Sequence, residues 1–263
     1  MAEKFLPKDA DWRFTASVFC LNDLSLWPNA NLVASAFEAV AAPEYWGEDS
    51  QVSDDYSRRA IEQHFAKAAP GDNRYPLILK RASVPRYTAS VNIGNTIHPH
   101  SVHIDSSLRH AEGELEKLFG LVDRLAESLE IDFAGIDIFR EGQGRGTRID
   151  GSGHGENLSP YIRVGPQWIW IRTYIGPRLV ALAGGARVWH DCGGLWRYLN
   201  NGVMVLDLKE KPWLSTPEEL KTEHDQLMPR VLARTGIFHY EDEDEEEIAG
   251  LRWRAPPGAK WPR

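Results

Sequence analysis

Hydrophobic and polar positions alternate first between Arg13 and Cys20. Phe14, Ala16, Val18 and Cys20 interleave with Arg13, Thr15 and Ser17, the two-residue period of a strand with one buried face. After Pro28 the period lengthens: Leu32, Val33, Ala36, Phe37 and Val40 predict an amphipathic helix. A shorter helix fits Tyr56, Ile61, Phe65 and Ala68, ending at Pro70-Gly71-Asp72. Strands are expected at 86–91, 101–105 and 133–139. Between the last two, Leu108, Ala111, Leu115, Leu118, Phe119, Val122, Leu125, Ala126 and Leu129 predict a long helix, with Ser106 or Ser107 placed to cap it.

Two of the strands are near copies. Arg-aromatic-Thr-Ala-Ser-Val occurs at 13–18 and again 73 residues later at 86–91. Either a unit has been duplicated, or the residue types that suit strands have simply recurred.

From Tyr161 to Leu208 the chain is rich in tryptophan. Trp168 and Trp170 are expected to share one face of a strand, with turns at Gly165-Pro166 and Ile175-Gly176-Pro177. Asn201-Gly202 opens onto Val203 through Leu208, a run apolar on both faces and so expected to be covered on both sides. Thr216, Pro217 and Glu219 spell a capping box at a helix start. Pro229 should kink or break that helix, and Gly236 should end it. The tail beyond Gly250 is expected to be mobile.

These elements predict an α+β chain: a mixed or antiparallel sheet with packed helices, built of two related halves if the repeat is a duplication. The glycine-rich stretch at 141–159 separates an N-terminal α+β half (1–140) from a C-terminal α+β half (160–240). An acidic block and basic tail (241–263) follow.

Composition narrows the class. At 263 residues, with 42% hydrophobic and 26% charged, the chain has enough apolar material for a core. No apolar run reaches the roughly 20 residues that span a bilayer, and the first ten residues lack a secretory core, so a cytoplasmic address is expected. Cys20 and Cys192 are too few for a disulfide framework and read as buried apolar residues. Of the formal charge of −8, Glu241 to Glu247 supply seven, which leaves −1 for everything else.

Candidate chemistry is sparse. His98, His100 and His103 offer imidazoles, but a three-residue step on a strand sends side chains to opposite faces, and no further ligand completes a set. Gly142, Gly144 and Gly146 form a phosphate-loop-like run, yet no apolar helix follows it. His190-Asp191-Cys192 lines up base, acid and thiol, although sequence neighbours point apart. No cofactor and no metal are expected. The clustered carboxylates can steer a basic partner and repel nucleic acid.

Trp170 through Pro177, the later Gly-Gly pair, Gly202 through Leu208 and Pro212-Trp213 together resemble bacterial polymorphic-toxin immunity proteins, the immunity protein 52 family associated with type VI secretion. The resemblance spans about residues 85 to 238 and implies a cytosolic α+β protein that occludes one cognate toxin, with no catalytic residues. The acidic block and tail have no counterpart in it. Toxin-facing candidates are then Glu241, Asp242, Glu243, Asp244 and Glu245, with Arg145, Arg148 and His154 of the loop. The competing readings are a metal- or thiol-dependent hydrolase that reverses a toxin's modification, and a non-catalytic adaptor.

Overall fold

The computed structural model describes residues 11–48, 52–66, 76–94, 99–108, 113–141, 147–148, 161, 165–238 and 252–259. Its centre is strand β1 (Asp11–Cys20), which pairs antiparallel with β6 (His100–Leu108) on one side and β7 (Ile131–Glu141) on the other. From β6 the sheet continues through β5 (Tyr87–Asn92), β4 (Leu77–Arg81) and β2 (Tyr45–Gly47) to β3 (Asp54–Asp55). From β7 it continues through β9 (Arg172–Ile175) and β11 (Met204–Asp207) to β10 (Leu195–Tyr198), while the short β8 (Thr147–Arg148) pairs beside β7. Every pairing is antiparallel, so the fold is α+β on a single open sheet.

The repeated hexapeptide acquires a meaning here. Both copies flank β6 in the same register: Ala16 and Ala89 face Ile104, Ser17 and Ser90 face His103, and Val18 and Val91 face Val102. Each copy meets the same partner strand, so each needs the same alternation of small apolar and hydroxyl side chains.

One face of the sheet is apolar across most of its width. The row Leu79, Ala89, Ile104, Ala16, Ile136 is buried throughout and lies beneath α1 (Trp27–Ala41) and α3 (Glu114–Ser128). α2 (Arg58–Ala66) packs on α1 and buries Ile61 and Phe65. α3 begins later than the apolar stripe suggests. Ser106, Ser107 and Leu108 belong to β6, and the helix starts after Gly113, which sits at φ 75° and supplies no side-chain cap. The β-branched and hydroxyl residues of 101–108 suit pairing with β1, and that pairing outweighs the helical spacing of Leu108.

The opposite face is divided. Over β4, β5 and β6 it carries Lys80, Thr88, Ser90, Asn92, His103 and Asp105, as expected of an antiparallel sheet with one polar side. Over β7, β9 and β11 it is covered by α4 (Pro177–Leu182), α5 (Ala186–His190), α6 (Pro217–Thr235) and the segment around Trp170. This is why Met204 to Asp207 are buried on both faces.

Three expectations are corrected. Residues 166–170 carry no strand, so Trp168 and Trp170 do not share a strand face; the strand begins at Arg172. Trp170 instead lies on Gly135, where any Cβ would overlap its indole. Pro229 does not break α6. Pro229 and Asp225, whose carbonyl would otherwise accept from position 229, both lie on the exposed side, while Leu220, Leu227, Met228 and Val231 hold the helix down. The tail, expected to be mobile, is packed at 252–259: Trp253 is buried against Gly165 and Tyr161.

Candidate functional site

Two networks fix the tryptophan-rich layer to the rest of the chain. On the apolar side, the row that ends the sheet becomes ionic. The Arg172 guanidinium donates to Asp207 through Nε at 2.5 Å and Nη2 at 3.0 Å, and to Asp123 of α3 at 2.9 Å. Tyr174 donates to the other Asp123 oxygen at 2.7 Å, and Arg197 of β10 reaches the same oxygen at 2.9 Å. Burial, then the Asp123 charge, raises the Tyr174 phenol, so it stays a donor. Arg172 also lies 5.1 Å from the Phe119 ring centroid and 5.4 Å from that of Trp213. α3 is thereby tied to the three last strands by paired charge, which in a buried setting stabilises only when each partner is satisfied.

On the other side, Tyr161 stacks on Phe19 at 4.2 Å and donates to Asp132. Arg178 of α4 forks onto the same carboxylate at 2.6 Å through both Nε and Nη2, and its Nη1 donates to the Arg254 carbonyl. The C-terminal segment is thus seated by a buried indole and by Arg178. A backbone bond from Arg252 N–H to the Gly236 carbonyl, at 2.6 Å, closes the circuit.

That bond bears on the acidic block. Glu241, Asp242, Glu243, Asp244 and Glu245 lie outside the described residues, as do Arg145 and His154, and Arg148 is described only as backbone paired with Phe139 in β8. The flanks of the acidic block are described. Phe238 is buried against Phe133 and Trp189, and Trp253 is buried beside Tyr161. The described flanks of the acidic block are therefore held at adjacent points, Gly236 and Arg252. Sequence alone could not reveal this, because Trp253 sits in a stretch rich in Pro, Gly and basic residues.

The catalytic candidates do not come together. His100 Nδ1 accepts from the Leu24 and Gly94 N–H groups at 3.2 and 2.9 Å. His103, one face over, has Ser17 Oγ at 2.9 Å from Nδ1 and Ser101 Oγ at 3.3 Å from Nε2. Burial pushes His103 down to about 4, so the ring is neutral near pH 7. His98 lies outside the described residues, among which no group of three metal-ligating side chains occurs. His190 is exposed and meets Tyr198 at 3.1 Å, whereas Cys192 is buried and donates to the Val188 carbonyl at 3.2 Å. Burial raises that thiol, and raises Cys20 to about 12, so neither is poised as a thiolate near neutral pH.

The geometry defines an α+β protein whose polar and ionic groups near the tryptophans position elements of the fold. No family model and no curated protein sequence matches the chain. Among solved structures it is similar to the Pseudomonas aeruginosa T6SS protein PA0821, at a TM-score of 0.55 and 12% identity, over 92% of this chain and 82% of that one. A duplicated taurocyamine kinase from Schistosoma mansoni aligns at a TM-score of 0.31 and 10% identity, over 89% of this chain and 34% of that one. Among the described residues, no helix is long and apolar enough to cross a membrane.

Proposed function

We propose that this chain is an immunity protein, which binds a cognate toxin of a bacterial secretion system and neutralises it by one-to-one occlusion of the toxin's active site. The observation that carries this reading is the shared fold with a type VI secretion protein along nearly the whole chain. The side-chain chemistry supports it. Among the described residues, the buried thiols and His103 are taken up in structural contacts, which favours recognition by surface over chemistry at those side chains. The acidic block, fastened at both flanks by Phe238 and Trp253, is the contact for a basic toxin face. Tethering both ends lowers the entropy lost when such a segment is ordered against a partner.

The test is protection. A candidate toxin domain of a type VI secretion system is assayed for its own activity against increasing amounts of this protein. Inhibition that completes at a one-to-one ratio supports occlusion. Recovery at far lower ratios, with turnover, would replace it by the hydrolase reading.

A further inference from the structure

The two ends of the sheet are built differently. β3 ends one side with two residues, Asp54 and Asp55, both exposed, a charged and very short edge of the kind that discourages pairing. β10 ends the other side without proline or lysine, and with Leu195 and Tyr198 about half exposed, at 49% and 51%. Its inner edge bonds β11, with Leu199 N–H on the Val203 carbonyl at 2.9 Å. The alternation of an antiparallel ladder then turns Leu195 and Arg197 toward β11, and the N–H and C=O groups of Trp196 and Tyr198 outward. Among the described residues no strand takes up that outer edge.

The surface beside it is basic. Arg187 of α5 is 93% exposed, and its nearest carboxylate is Asp191 at 3.9 Å. Arg230 of α6 is exposed and lies against Gly193, just before β10, and the positive fields of Arg230 and Arg234 both reach Cys192. Exposed His190 meets Tyr198. Among the described residues, Arg187, Arg230 and Arg234 thus share this margin with Asp191.

We infer that the outer edge of β10 receives an extended acidic segment of a partner protein as an added strand. Trp196 and Tyr198 would supply its backbone bonds, and Arg187 and Arg230 would meet its carboxylates. Charge decides against β10 of a second copy in that place. Self-pairing of β10 centred on Arg197 would set Arg197 opposite Arg197, and the other register open to the outward groups, centred on Trp196, would still add a second set of exposed arginines to the first. The inference is separate from the acidic block and from the immunity reading.

The test uses the full chain and a short peptide alternating glutamate and valine, blocked at both ends, with a lysine–valine peptide of equal length as control. Hydrogen exchange should show new protection at the Trp196 and Tyr198 amides with the acidic peptide, and the lysine peptide should bind at least about tenfold more weakly. Tyr198→Pro, which deletes one outward N–H and spares the inner ladder, should bind more weakly than Tyr198→Ala. Arg187→Glu with Arg230→Glu should reverse the preference between peptides. Equal binding of both peptides without protection at those amides would overturn the inference. Protection that grows with protein concentration alone would also overturn it, by giving the edge to a second copy.

Discussion

Trp170 lies flat on the sheet only because position 135 has no side chain. Gly135→Ala would place a methyl group on the indole, and the side chain cannot yield because it is enclosed in the core. The expected cost is roughly 1–3 kcal/mol, read from urea denaturation. Gly120 on α3 has nothing near its would-be Cβ, so Gly120→Ala should stabilise by about 0.5–1 kcal/mol in the same assay. His103 gives a prediction of another kind. Its folded pKa, about 4, lies below the usual value of 6.5, so the unfolded chain binds the proton more tightly. Stability from this residue is therefore complete above about pH 6.5 and is lost as pH falls toward 4, by about 3 kcal/mol in all. His103→Gln should flatten the dependence of the urea midpoint between pH 7 and 4.5. A midpoint that falls equally in both proteins would remove His103 as the cause.

At the scale of elements, what could be read from sequence depended on whether a local rule acted alone. The capping box at Thr216 and Glu219 is formed as spelled, because both bonds lie within one turn. β5 and α1 follow their periods, since each buries one face, and β1 does so as far as Ala16, beyond which its second face is buried as well. The start of α3, the strand drawn through Trp168 and the break at Pro229 failed where pairing with a distant strand, or packing of a whole helix, outweighed local spacing. β10 gave no periodic signal at all: four residues with two exposed apolar side chains become a strand only through Met204–Asp207. The C-terminal segment was equally hidden, as one indole and hydrogen bonds at Arg178 and Arg252 hold it. Trp253→Ala should therefore cost about 3–5 kcal/mol if the site cannot collapse. It should also speed proteolysis between Phe238 and Arg252, while an unchanged cleavage rate would mean that the segment is held by something other than its tryptophan.

At the scale of the whole molecule, a single sheet with one continuous core holds the two flanks of a charged segment, at Phe238 and Trp253. Rigidity follows from the core that runs along the sheet and from the Arg172, Asp207 and Asp123 network that locks α3 to the last strands. A pre-organised surface loses little entropy on binding, and clustered carboxylates accelerate encounter with a basic face most strongly at low salt. The most direct test of the proposed immunity function is calorimetric titration of this protein with a candidate toxin domain of a type VI secretion system, at two salt concentrations. A variant with Glu241 to Glu247 neutralised is measured alongside. The expected result is a saturable one-to-one complex that weakens as salt rises, and a variant that binds more weakly with a flatter salt dependence. No heat of binding at micromolar protein, at either salt concentration, would contradict it.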